Sequence, residues 1–227
     1  MQDLPVRPVR VWDLPTRVFH WLLALAITGS VISGHVGGNA MTLHFRLGYV
    51  AFTLLAFRLL WGVLGGRWSR FASFLYAPAT VLRYVHGQRR EGEQLDVGHN
   101  PLGSLSVFGL LALLAAQVAS GLVADDEIAN VGPLNRFVSG SVAGLATSWH
   151  KHYGQWILVS LVALHVGAIA YYRLRKRIDL VGPMLHGDKL LPAATPPSKD
   201  SAAQRALALA LAALCAAGVT WVVRLGG

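Results

Sequence analysis

The sequence predicts an all-α integral membrane protein: a four-helix transmembrane bundle followed by a fifth, C-terminal transmembrane helix. Three observations predict it. The 227 residues are 54% hydrophobic and only 14% charged, and their mean hydropathy is positive, which is too apolar for a soluble domain of this size. The apolar stretches are long enough for helices and lack the period-two alternation of an outer-membrane barrel strand. Lys and Arg gather in the segments that flank those stretches, without a stripe of interleaved aromatics. The net charge of +9 is therefore a matter of topology and not of nucleic-acid binding.

Five spans follow in order, at about 17–36, 43–64, 102–124, 149–172 and 205–223. Arg7, Arg10 and Arg17 precede the first span as they would a signal peptide. No small-residue cleavage site follows and further spans come after, so the first helix is read as retained. A short turn, GHVGGNAM, leads to the second span and carries neither Lys nor Arg. The long second connection carries Arg67, Arg70, Arg83, Arg89 and Arg90. In that connection, Asn100-Pro101 marks the start of the third helix, with Pro in the first turn. The third connection holds Asp125, Asp126 and Glu127 with few basic residues, and RLRKR closes the fourth span. By the positive-inside rule the N-terminus is cytoplasmic and the C-terminus periplasmic, in a bacterial inner membrane. Residues 191–204, rich in Pro, Ala and Ser, read as a flexible cytoplasmic linker to the fifth helix at 205–227. Trp12, Trp21, Trp61, Trp149 and Trp221 lie near span ends, as in an interfacial belt. The single cysteine, Cys215, excludes a disulfide framework and reads as a packing residue.

The nine histidines fall into a pattern on this map. His20 lies just inside span one and His165 toward the cytoplasmic end of span four. His44 opens span two, and His150 opens span four, from the opposite side. Along one helix His150 and His165 stand roughly 22 Å and about 60° apart, one near each face of a hydrocarbon layer of ~30 Å. His152 is the alternative to His150, but it stands about 140° around the helix from His165. Two imidazoles from different helices complete the axial coordination of a haem iron suited to electron transfer. The pairs His20/His165 on the cytoplasmic side and His44/His150 on the periplasmic side thus suggest two b haems stacked across the bilayer. Gly48 and Gly154, each four residues beyond a proposed ligand, would leave room for a macrocycle. Arg17 and Arg46 lie near histidines and would meet haem propionates. Arg58 is an intramembrane charge at the level of the inner haem, a candidate with His99 for a quinone site. His35, His86 and His186 read as hydrogen-bonded interfacial residues.

The chain resembles the bacterial cytochrome b561 family, which includes the membrane cytochrome b subunits of nickel–iron hydrogenases. The resemblance covers residues 9–190. It rests on FHW around His20, LHFRLGY from Leu43, FRLLWG from Phe57, GHNPLG from Gly98, LVALH ending at His165 and MLHGDK from Met184. It implies that residues 1–190 form a four-helix dihaem domain, passing electrons between the quinone pool and a periplasmic redox partner such as a cytochrome c. His20, His44 and His165 match the family's ligand positions. The fourth position, set by a spacing one residue shorter than His150–His165, falls on Lys151. An extra residue or a local bulge would bring His150 or His152 there. The fifth helix lies outside the family pattern.

Two other functions compete with this one. A superoxide:quinone oxidoreductase would need an exposed outer haem edge within positive surface. A membrane anchor or transporter would use the histidines without haem, but a transporter more often carries intramembrane carboxylates and broken repeats. The acidic residues here lie outside the spans. The acidic outer loop could steer a basic partner.

Overall fold

The structure is a computed structural model, and it describes residues 5–90 and 92–226. Five helices are long and apolar enough to cross a membrane: α1 (Leu14–Val36), α2 (Met41–Leu64), α4 (Pro101–Val123), α6 (Gln155–Leu174) and α8 (Ala202–Arg224). Each overlaps one of the five expected spans. The fourth span begins earlier than expected. Helix α5 (Gly140–Ser148) and a π-helical segment, Trp149–Gly154, run directly into α6, so the whole apolar stretch is Gly140–Leu174. Shorter pieces complete the chain: β1 (Val6–Arg10), α3 (Pro78–Val85), α7 (Val181–His186) and β2 (Asp188–Pro192).

The chain divides into two compact units. One comprises the described residues of Met1–Val18, Arg58–Gly109 and His165–Leu209; the other those of Phe19–Phe57, Leu110–Leu164 and Ala210–Gly227.

The first unit is organised by polar groups that satisfy one another in its interior. Asp13 is fully buried, and its carboxylate accepts from Thr16 N at 2.8 Å, Trp61 Nε1 at 3.0 Å, Gly66 N at 3.1 Å and Ser69 Oγ at 2.6 Å. The first of these bonds caps α1, where the opening amides have no partner inside the helix. The others tie the end of α2 to it. Trp61, 0% exposed, and Trp12, 7% exposed, are core residues here, which corrects the interfacial-belt reading for both. An indole N–H enters an interior freely once a carboxylate receives it. Trp12 packs with Val11, Trp68 and Val97 in an apolar cluster. Helix α4 starts at Pro101 as expected, and Asn100 Oδ1 accepts from Gly103 N at 2.7 Å.

The stretch read as a flexible linker is ordered. β2 pairs antiparallel with β1, Arg10 opposite Asp188 and Val6 opposite Pro192. Ser198 then stitches three segments together. Its amide donates to Arg10 O at 2.7 Å, its hydroxyl donates to Val11 O at 2.8 Å, and it accepts from Trp68 N at 3.1 Å. Trp68 Nε1 donates to Pro196 O at 2.8 Å. Arg10 bridges Asp188 and Asp200 at 2.6 and 2.9 Å, and Arg205 of α8 meets Asp200 at 3.0 Å. Composition alone suggested flexibility because most of these partners are remote in sequence.

The second unit is built from apolar helix faces. Leu55, Leu114 and Leu158 form its buried centre, flanked by Leu23, Ile27 and Val162 among others. Cys215 is buried in the same unit, as a packing residue would be.

Candidate haem site

Within the second unit, His44 near the start of α2 and His150 in the π-helical segment come together. Their ring centroids are 5.9 Å apart and their planes lie at 88°. His44 Nδ1 lies 2.8 Å from the Ser30 carbonyl of α1, and His150 Nδ1 lies 2.9 Å from the Gln117 carbonyl of α4. A carbonyl only accepts, so each ring carries a proton on Nδ1, and its neutral form offers Nε2. A bare Nε2 is the form in which imidazole binds a metal, and a second partner on Nδ1 is what usually orients such a ligand.

Three glycines make room for this pair. A Cβ on Gly34 would stand 3.0 Å from His44 Nδ1, and one on Gly121 would stand 2.8 Å from His150 Cε1. Gly48 has nothing within 4 Å of such a Cβ, and it borders a cavity of about 750 Å³ that His44 and His150 also line. That volume falls in the range of small-molecule and cofactor sites, roughly 300–1,000 Å³. The donor set, the bare nitrogens and the space beside Gly48 all suit a haem with two axial imidazoles.

Gly154 differs from the expectation that it faces the macrocycle. A Cβ there would run into Gln117 Oε1 and stand 2.7 Å from Trp149 Nε1. The Gln117 amide of α4 already fills the space beside Gly154. The π-helical segment Trp149–Gly154 is a local bulge that holds His150, Lys151 and His152 alike. Trp149 Nε1 is a buried donor without a partner among the described residues.

The remaining candidates are placed as follows. His152 is exposed and borders the cavity, as does Lys151, but only His150 meets His44 ring to ring. His35 also borders the cavity, its Nδ1 2.8 Å from Val31 O. Arg46 is exposed. His20, in the second unit, is half-buried with its ring 5.1 Å from that of Trp21. His165 belongs to the first unit, half-buried on α6.

In the first unit, Arg17 donates to Leu185 O at 2.5 Å. Arg58 is 3% exposed, with its guanidinium 4.5 Å from the centre of the Phe71 ring. Its Nη1 is buried and has no hydrogen-bond partner among the described residues. His99 sits between aromatic rings, 4.7 Å from Trp12 and 4.6 Å from Phe74.

The acidic loop is partly occupied with itself. Asp126 Oδ1 accepts from the amides of Ile128, Ala129 and Asn130, and Oδ2 accepts from Asn130 Nδ2 at 2.6 Å. These bonds, the Asn130 side chain first, hold its carboxyl well below the usual carboxylate range.

The sequence reading missed Ser30, Gly34, Gln117, Ser120 and Gly121. Gln117 carried a signal, since an amide in the middle of an apolar span must find a partner there. The backbone carbonyl of Ser30 carried none.

Five apolar helices and a cavity edged by two facing imidazoles define a class, the multi-pass membrane cytochromes that bind b haem. The chain belongs to the prokaryotic cytochrome b561 family, whose model matches residues 11–187, a family of b-haem electron-transfer proteins. It is 24% identical over 215 residues to the probable Ni/Fe-hydrogenase B-type cytochrome subunit of Bradyrhizobium diazoefficiens, covering 80% of this chain and 85% of the relative. It is 25% identical over 212 residues to the protein of the same description from Rhodobacter capsulatus, covering 80% and 81%. With the probable Ni/Fe-hydrogenase 1 B-type cytochrome subunit of Escherichia coli K12 it shares 25% over 215 residues, covering 78% and 88%. No solved structure matches the chain. Helix α8 lies beyond the matched residues.

Proposed function

We propose that this chain carries electrons across a bacterial inner membrane through two b haems, between the quinone pool and a redox protein on the periplasmic side. His44 and His150 would hold the outer haem, and the match to family positions names His20 and His165 for the inner one. The observation that carries this reading is the pair of facing imidazoles, each with Nδ1 tied to a backbone carbonyl. When bound, a b haem would supply a one-electron iron couple, and the imidazoles of His44 and His150 would be its ligands.

The chain's own residues set the terms of that couple. The carbonyls of Ser30 and Gln117 accept the Nδ1 protons, which raises the basicity of each Nε2 and fixes the ring planes. Apolar residues such as Leu114, Val118 and Leu158 line the cavity wall and keep the site at low dielectric. The inner ligands are supported by their match to family positions, and the quinone site by the buried charge of Arg58 on α2. The relatives named for Ni/Fe-hydrogenase favour an external redox enzyme of that kind as the periplasmic partner over a cytochrome c.

In liposomes that hold the haem-loaded protein and a quinol, an impermeant oxidant outside should draw electrons through the wild type. His44→Ala should stop that flow while quinol still reduces the remaining haem. Undiminished flow in His44→Ala would refute the proposal.

A further inference from the structure

The geometry points to Gln117 of α4 as a positioning residue that clamps His150 at two points, its backbone and its ring. The inference rests on the reading of His44 and His150 as haem ligands. The Gln117 side chain donates from Nε2 to the His150 carbonyl at 2.9 Å. Its own carbonyl accepts from His150 Nδ1, also at 2.9 Å. Ser120, one turn on, places its hydroxyl 3.2 Å from the same Nδ1 and donates to Gln117 O at 2.9 Å. One residue of α4 therefore holds both ends of the ligand.

The side-chain contact matters because of where His150 sits. A π segment is a local departure from the helical ladder, and the ring it carries is only as well placed as its backbone. The Gln117 amide donates into that segment from a neighbouring helix. Gln117 is itself only 9% exposed within an apolar span, where a polar group is costly unless bonded. Its Oε1 is buried and has no partner among the described residues, and it abuts Gly154. A side chain at 154 would displace the amide, so glycine there belongs to the same device.

Two variants of the full-length, haem-loaded protein test this. Gln117→Met keeps the length and removes the amide; Gly154→Ala leaves Gln117 in place and pushes its far end away. Both should shift the midpoint potential of the outer haem and its low-temperature spin-resonance signal, with the inner haem unmoved. Haem retention at that site should weaken by roughly 10–100-fold, the usual effect of losing a partner that orients a ligand. Leu55→Ala, a core change in the same unit, should lower thermal stability without either shift.

If His150→Ala abolishes the outer haem but both test variants keep its potential and signal, Gln117 merely packs and the inference is overturned. If His44→Ala and His150→Ala leave the spectrum of the wild type intact, the ligand reading fails first and the inference falls with it.

Discussion

An imidazole binds iron only through a nitrogen that carries no proton, and in His44 and His150 a carbonyl on a neighbouring helix accepts from Nδ1, so that Nε2 is the nitrogen each neutral ring offers. The glycines beside them are as specific as the histidines. The tightest is Gly121, where a Cβ would meet His150 Cε1 at 2.8 Å. Gly121→Ala should therefore lower outer-haem occupancy several-fold while leaving the chain folded, measured as haem per protein after purification. Full occupancy would show that the ring can yield without losing its ligand position. The nearness of His44 and His150 was legible in the sequence, because both open apolar spans from the same side. Gly34 and Gly121 were not, since a glycine's neighbours across a bundle leave no trace in local pattern. Gly154 was misread for the same reason: the Gln117 amide that fills the space beside it lies on another helix.

At the scale of elements, all five spans were legible, since hydrocarbon thickness dictates their length and composition. The segment between β2 and α8 was not. Its order comes from Ser198 and from the chain of charges Asp188, Arg10, Asp200 and Arg205, whose partners lie up to 190 residues apart. Burial alone would raise the Asp200 pKa, but hydrogen bonds from Arg205 and the Leu14 amide, with the charges of Arg205 and Arg10, outweigh it and leave it lowered. A carboxyl lowered by folding stabilises the fold above its unfolded value, about 3.9. That contribution is lost as pH falls through the folded value. The melting temperature of the detergent-solubilised protein should accordingly drop as pH falls below about 4. In Asp200→Asn the start should be lower and the drop shallower. An unchanged slope in the variant would mean that this charge chain contributes nothing to stability.

For the whole molecule, charge and hydropathy read together were enough to name the class, a multi-pass membrane protein. Resemblance then narrowed the class to the cytochrome b561 family, which the match over residues 11–187 supports. Helix α8 stands outside that match, yet Arg205 in its first turn joins the charge chain that reaches β1, so it is fastened to the family's core fold in the first unit. The identity of the redox partner was not legible, because recognition of a partner depends on surface detail and not on the spacing that places ligands. The central claim, two haems held by four histidines, is tested most directly by haem content and the reduced-minus-oxidised spectrum of the purified protein, with His20, His44, His150, His152 and His165 each changed to Ala. The account expects two b haems per chain in the wild type and in His152→Ala, and one in each of the other four variants. A wild type without stoichiometric haem, or a His150→Ala variant that keeps both haems while His152→Ala loses one, would contradict it.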